Sequence, residues 1–166
     1  MAGHGEPDLS TVDAHGLRLG IVASQWHSAI VDQMVARAQE AAKACQVDDV
    51  RTVRVMGSVE LPVVARALVR ECDAVVALGV VVKGETAHFD YVCRSVTDGL
   101  TRVALDAGRP VGHGVLTVFT LDQARARAGL PESTEDKGWS ATVAALDAAL
   151  AIRSLTGLPR PLLGDR

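Results

Sequence analysis

The clearest chemistry in the sequence lies in "VVVKGETAH" (80–88), where an apolar run ends in polar residues. Three consecutive valines are typical of a strand buried on both faces. Gly84 and Thr86 follow, and a glycine turn ahead of a helix, with a hydroxyl, can hold a phosphate through backbone N–H groups. His88 comes next, and an imidazole of ordinary pKa near about 6.5 can move protons at neutral pH. We interpret the segment as a phosphate-binding turn beside a proton-transfer group; the more common alternative is that a single strand-end histidine is a loop or capping residue.

The same segment excludes a nucleotide P-loop. Gly79 and Gly84 have the G-x-x-x-x-G spacing of that motif, but Glu85 stands where the motif requires a lysine. Three of the four intervening residues are valines that belong to the strand. What remains is a turn able to hold a smaller phosphate.

Two earlier segments also carry polar or aromatic residues after a predicted strand. In "ASQWHS" (23–28), Trp26 offers a flat surface for a planar ring, or else anchors the core. In "MGSVELP" (56–62), the N–H groups of Ser58 and Val59 open a helix. Glu60 either accepts hydrogen bonds from ligand hydroxyls or only complements the helix dipole.

Three further residues lie late in the chain. His113 sits in "VGHGVLT" between glycines that let its ring approach closely. Arg127 is near the end of a short predicted helix and Lys137 is at the start of the last one, and charges on short helices are usually solvated. Metal binding by His88 and His113 needs a third ligand at sensible spacing, and none stands out. We therefore expect no metal site.

The spacing of apolar residues predicts an α/β fold in which strands and helices alternate. Such alternation with short connections implies a three-layer α/β/α sandwich, a four-stranded parallel sheet flanked by helices on both faces. In open sheets of this kind ligands bind outside the carboxyl ends of the strands, where the candidate segments lie. The predicted strands are 17–23, 50–55, 74–82 and 111–118, and the predicted helices are about 30–45, 57–71, 90–108, 121–128 and 137–156.

Composition limits the protein to one compact domain with a small-molecule partner. The 166 residues, 48% of them hydrophobic, predict a single domain over 17–156, with a flexible arm at 1–16 and a tail at 157–166. A net charge of −3 and 3% aromatic residues argue against nucleic-acid binding. The three cysteines show no C-x-x-C arrangement and are expected to be reduced. The apolar run 74–82 is too short to span a membrane and no signal peptide is evident, so we expect a cytoplasmic protein.

Taken together, the segments resemble the lumazine synthases of bacterial riboflavin biosynthesis, and the actinobacterial branch in particular. The resemblance runs from Leu17 to about Leu155 and is most specific in the G-x-T-x-H-[FY]-[DE] block. The matching segments are "GIVASQWH", "VMGSVELP", "ALGVVVKGETAHFDYVCRSVTDGL", "GVLT", "DQARARAG" and "DKG".

The resemblance implies a flavodoxin-like fold and a transferase that condenses 5-amino-6-(D-ribitylamino)uracil with 3,4-dihydroxy-2-butanone 4-phosphate to 6,7-dimethyl-8-ribityllumazine. It assigns proton transfer to His88 and the phosphorylated substrate to Glu85, Thr86 and Arg127. The residues that it assigns to the uracil are Trp26, Ser58, Val59, Glu60, Val80, Val81, Val82, His113 and Lys137.

The resemblance also implies a homopentamer whose sites lie between adjacent subunits, with no metal or redox cofactor. His113, Arg127 and Lys137 would then come from a neighbour. The chain departs from the family pattern at Ala87, where proline is common, and in "TVFT" (117–120), where threonine and a polar residue are expected.

Two alternative functions are compatible with parts of the sequence. One is a non-catalytic homologue that binds riboflavin or lumazine, and retention of His88 and Arg127 argues against it. The other is a flavodoxin-like regulatory domain, which would carry an acidic cluster that is missing here.

Overall fold

A computed structural model describes residues 10–157 and has the predicted α/β architecture. Four parallel strands form one sheet in the order β2-β1-β3-β4. The predicted arm falls largely outside the described residues, as does the tail from residue 158. Within its described part, Ala14 is fully buried and its N–H donates to the Cys45 carbonyl at 2.8 Å. The strands are β1 (Arg18–Ser24), β2 (Asp49–Val55), β3 (Ala74–Val82) and β4 (Val111–Val118).

Five helices cover the two faces of the sheet. Helices α1 and α5 pack together on one face, and α2 and α3 pack on the other, while the short α4 follows β4. This confirms the predicted three-layer, flavodoxin-like arrangement. The helices are α1 (Ser28–Ala44), α2 (Leu61–Leu68), α3 (His88–Ala107), α4 (Leu121–Arg125) and α5 (Lys137–Thr156). No helix within 10–157 is long and apolar enough to cross a membrane.

Apolar clusters on both faces of the sheet bury its two inner strands. Leu19 and Ile21 of β1 face α1 and α5, whereas Val22 faces α2 with Val75 of β3. Seven residues of β3, from Ala74 to Val80, are buried, so the central strand has apolar side chains on both faces. The unbroken valine-rich run is a direct consequence of that position.

Several predicted helix boundaries differ from the structure, and the helix predicted over 121–128 ends at Arg125. The predicted helix 57–71 divides into a 3-10 turn (Ser58–Glu60) and α2, where Pro62 lies in the first turn and its missing N–H costs no helical hydrogen bond. The helix predicted to begin near Asp90 begins two residues earlier, at His88. These differences move functional candidates onto helix starts.

Gly112 sets the distance between the sheet and α5. A Cβ at this position would overlap the carbonyl oxygen of Ala141 and lie 3.2 Å from the Ala145 side chain. Backbone cannot yield as a flexible side chain does, so α5 can lie this close only because residue 112 has no side chain. The glycines beside His113 thus serve helix packing.

We predict that Gly112→Ala lowers the free energy of unfolding by about 1–3 kcal/mol, the usual effect of overpacking a closely packed interface. The matched control is Gly84→Ala, where a new Cβ meets nothing within 4 Å. Urea unfolding of both variants measures the difference, and equal stability of the two would contradict the packing argument.

Candidate active site

An open cleft of about 480 Å³ lies at the carboxyl ends of β1 and β3. One wall is the 3-10 turn after β2, and the opposite wall is the start of α3. This is the edge of the sheet at which a parallel α/β fold offers unpaired backbone groups to a ligand. The lining residues are Trp26, His27, Met56, Gly57, Ser58, Val59, Glu60, Val80, Val81, Val82, Gly84, Thr86, His88, Phe89 and Val92.

Trp26 stands at the mouth of the cleft and not in the core. Its side chain is 67% exposed, which rules out the interpretation as a core anchor. His27, directly after it, has left-handed backbone angles (φ 55°, ψ 47°), and this sharp bend begins α1 while leaving the indole at the rim. The indole passes over Gly57, where an added Cβ would lie 4.0 Å from Cδ1 and Nε1.

The 3-10 turn is closed by Glu60. The N–H of Gly57 donates to Glu60 Oε2 at 2.8 Å, so one carboxylate oxygen completes the turn. The side chain is nevertheless exposed to the cleft, and its other oxygen is available to accept from a ligand hydroxyl. The carboxylate of Glu60 therefore closes the turn at the start of the helix and also faces the cleft, so its structural role does not exclude a role in ligand binding.

The end of β3 forms the floor and leaves peptide groups without a strand partner on one side. Pairing between β1 and β3 stops at Ala23 and Leu78, whereas pairing between β3 and β4 continues to Val82 and Val118. The peptide groups of residues 79–82 that point toward β1 are therefore beyond its last pair. They can donate to and accept from the edge of a ring.

Gly79 lets two serine hydroxyls approach this floor. A Cβ on Gly79 would lie 3.0 Å from the Oγ atoms of both Ser24 and Ser58. Both serines are buried, and the Ser24 hydroxyl has no hydrogen-bond partner within the part of the chain that is described. Two hydroxyls thus lie against the end of β3, and of the two serines only Ser58 also lines the cleft.

The turn after β3 brings a hydroxyl and an imidazole to the other end of the cleft. Thr86 and His88 both line it, and the His88 N–H lies 3.4 Å from Thr86 Oγ1 at the beginning of α3. The first N–H groups of a helix have no partner within the helix and favour an anion. Glu85 is exposed and is not among the residues that line the cleft.

Besides Glu85, three further predicted site residues lie outside the cleft of a single chain. His113 is in the middle of β4, with its Nε2 3.3 Å from the Thr97 hydroxyl on α3. Arg127 donates from Nη1 to the Gln123 carbonyl at 2.9 Å, and its Nε lies 3.4 Å from Glu135. Lys137 Nζ lies 2.7 Å from the same carboxylate.

Several lining residues were not singled out from the sequence. Phe89 and Val92 are one helical turn apart at the start of α3, and that spacing is the signal that could have placed them on the wall. Met56 is 69% exposed at the rim, which the strand pattern did not predict. Glu135, the partner of Arg127 and Lys137, was not predicted either.

Free cysteines and possible metal ligands add nothing to the cleft. Cys45, Cys72 and Cys93 are all unbridged. Among residues 10–157, no group of three or more histidine, cysteine or acidic side chains is placed to hold a metal ion.

The fold and the cleft together define a flavodoxin-like α/β protein whose strand ends can bind a planar ring and an anion side by side. The family model for 6,7-dimethyl-8-ribityllumazine synthase matches residues 16–153. The chain belongs to this family.

Relatives in actinobacteria support the assignment over nearly the whole length. The chain is 69% identical over 155 residues to the 6,7-dimethyl-8-ribityllumazine synthase of Salinispora arenicola, covering 93% of each chain. It is 57% identical over 168 residues to that of Thermobifida fusca, covering 97% of this chain and 98% of the relative. The enzyme of the same name from Mycobacterium leprae strain TN is 57% identical over 153 residues, 92% and 96% of the two chains. The resemblance inferred from the motifs is confirmed.

His113 should contribute to the pH dependence of stability. Removal of water from the ring lowers its pKa below the usual range. The unfolded chain then binds more protons than the folded one just below the ordinary histidine pKa of about 6.5, so stability is full above that pH and falls as the pH drops toward the folded pKa.

We predict that His113→Asn loses less stability than the unchanged protein between about pH 7.5 and 5.5, because it lacks this group. Urea unfolding at both pH values measures the difference. The same loss in both proteins would show that the lowered pKa of His113 has no effect on stability.

Proposed function

We propose that the protein condenses 5-amino-6-(D-ribitylamino)uracil with 3,4-dihydroxy-2-butanone 4-phosphate to form 6,7-dimethyl-8-ribityllumazine, with release of phosphate and water. Membership of the family supports this function. The single observation that carries it is the division of the cleft, with an indole and unpaired strand-end peptides at one end and a helix-start turn with His88 at the other.

The first half of the cleft suits the uracil substrate. Trp26 stacks on the pyrimidine, and the backbone of Val80, Val81 and Val82 reads its edge through the groups that β1 leaves unpaired. The turn opposite adds N–H groups at the beginning of a helix. Its residues Ser58, Val59 and Glu60 hold the ribityl chain, with the free oxygen of Glu60 as acceptor.

The second half of the cleft suits the phosphate of the other substrate. The N–H groups of Glu85 and Thr86 and the threonine hydroxyl bind its oxygens, as a glycine turn before a helix can do. Arg127 supplies a counter-charge, but it must come from a neighbouring subunit because its own cleft does not contain it.

The reaction requires positioning and proton transfer. The uracil's amine attacks the ketone and gives an imine with loss of one water, phosphate then leaves, and the resulting enol tautomerises before the second nitrogen closes the ring with loss of another water. No step changes the overall oxidation state, and each one moves a proton. His88, which lines the cleft beside the proposed phosphate turn, is the group that can carry those protons.

A homopentamer with sites between adjacent subunits accounts for the three residues outside the cleft. His113 in β4, Arg127 in the turn after α4 and Lys137 at the start of α5 lie beyond the cleft walls, so a neighbour can present them while the chain itself cannot. In such a pentamer a single chain would be inactive, since part of each site would be missing. We also expect the protein to be located in the cytoplasm.

The link 129–138 bears on whether such rings remain free or form a larger shell. The length of this link and its Pro131 favour a free pentamer, because they change the angle at which one ring of five subunits would meet another in a shell. Three carboxylates in the link, those of Glu132, Glu135 and Asp136, could also repel a second ring, but two of them are already paired with cations. Glu135 is paired with two cations, and Asp136 accepts from Arg37 Nε at 2.5 Å. Of the acidic residues in the link, Glu132 is the exposed one.

The function is tested by mixing the purified protein with both substrates and following lumazine fluorescence. We predict that His88→Ala is slowed but active, because a general acid–base group contributes about 10²–10⁴-fold and the positioning of the substrates remains. His15→Ala, at the opposite edge of the sheet, is the control and keeps the full rate. Binding of the uracil without turnover by the unchanged protein would support the non-catalytic homologue instead.

The shared site is tested by complementation between two inactive variants. Trp26→Ala damages the cleft and Arg127→Ala damages the segment given to a neighbour. When the two are unfolded and refolded together, about a quarter of the interfaces pair two intact halves, so activity should return in part.

The matched control pairs Trp26→Ala with His88→Ala, whose defects lie in the same cleft, and it should regain nothing. Light scattering of the unchanged protein should give the mass of five chains. Recovery in the control, or a monomer that is fully active, would rule out the shared site.

A further inference from the structure

A lysine and two phenylalanines form a cluster beside the cleft. Lys83 is the first residue after β3, and its Nζ lies 5.2 Å from the centre of the Phe119 ring. Phe119 in turn packs against Phe89, with ring centres 6.4 Å apart, and Phe89 lines the cleft next to His88. The ammonium group is therefore held at the rim, one side chain away from the cleft wall.

Phe119 is 64% exposed, an unusual position for a large apolar ring. Its backbone N–H donates to Gln123 Oε1 at 2.8 Å, which fixes the residue at the beginning of α4. The family pattern leads one to expect a polar residue at this position. An aromatic ring there holds a cation through its electron-rich face without neutralising the charge, as a carboxylate would.

The local balance of charge gives this arrangement a consequence for phosphate binding. The turn and the first turn of α3 carry two exposed carboxylates, Glu85 and Asp90. Lys83 is the cation directly before this turn. No ion pair found among the described residues includes Lys83. Arg127 and Lys137, by contrast, both lie against Glu135.

We propose that Lys83 attracts the phosphorylated substrate to the turn at 84–86 and that Phe119 is the positioning residue that keeps the ammonium group at the rim. This rests on the proposed function, because it names a second cation for the phosphate end of the same cleft. Without Lys83, a doubly charged phosphate would approach two carboxylates with no compensating charge from the subunit that holds the turn.

An exposed charge at a rim acts mainly on the encounter and is screened by salt, whereas a charge in direct contact with the reacting atoms changes turnover. Lys83→Met keeps the length of the side chain and removes its charge. It should raise the KM for the butanone phosphate about two- to fivefold at low salt, with kcat and the KM for the uracil unchanged. The effect should fade when salt rises from about 0.02 M to about 0.3 M, as the screening length shortens.

Three further variants separate charge from structure. Lys83→Arg should keep the KM of the unchanged protein, because it keeps the charge and can also lie over a ring. Phe119→Leu keeps the apolar bulk but not the aromatic face, and should give a smaller rise than Lys83→Met. Lys43→Met, in the last turn of α1 at the opposite edge of the sheet, makes the same change in net charge and should have no effect.

Binding of inorganic phosphate, followed by ³¹P line broadening, tests Lys83 separately from turnover. Lys83→Met should bind phosphate more weakly than Lys43→Met at low salt and equally at high salt. Equal binding at low salt would overturn the role of Lys83 even if the enzyme is active. Failure of the unchanged protein to form lumazine would refute the proposed function, and a difference in phosphate binding between the two lysine variants would still stand.

Discussion

The site depends on one feature of the sheet, which is that β3 extends beyond β1. Pairing with β1 ends at Leu78, while pairing with β4 continues to Val82, so one edge of the last residues of β3 has no strand beside it. Backbone N–H and C=O groups require partners, and an unpaired group away from water costs free energy. A ring with donors and acceptors along its edge can provide those partners. The end of β3 is therefore both the floor of the cleft and a row of backbone groups that can hydrogen-bond to the edge of a ring.

The rest of the cleft is built around that floor by short segments whose geometry is fixed. The left-handed residue after Trp26 keeps the indole at the mouth, and Glu60 closes the turn that forms one wall. Gly79 leaves space for the buried hydroxyls of Ser24 and Ser58. None of these devices lies on a long loop, so the cleft is formed before a ligand arrives and little ordering is needed on binding.

Sequence reasoning located the strand ends well, because the valine run of β3 and the glycines and prolines around it report directly on burial and turns. It placed Trp26, Glu60, Thr86 and His88 at those ends, and the structure brings them into one cleft. It did not predict Glu135, since an ion pair depends on how two side chains meet in space and not on their spacing along the chain. The sequence also left undecided whether Trp26 is buried or exposed, because the direction of the indole depends on the turn at the next residue.

The cations that are expected from a neighbouring subunit show why assembly and charge must be considered together. Arg127 and Lys137 share Glu135, whose side chain is only 19% exposed, so the three groups carry a net positive charge of one in the isolated chain. Shared pairing holds both long side chains in place and reduces the entropy lost when an anion binds. It also weakens their attraction for a distant phosphate, because part of the charge is already compensated. In the proposed pentamer, a phosphate would gain most from these groups after it had reached the interface, and its initial attraction would come from charge on the subunit that holds the turn.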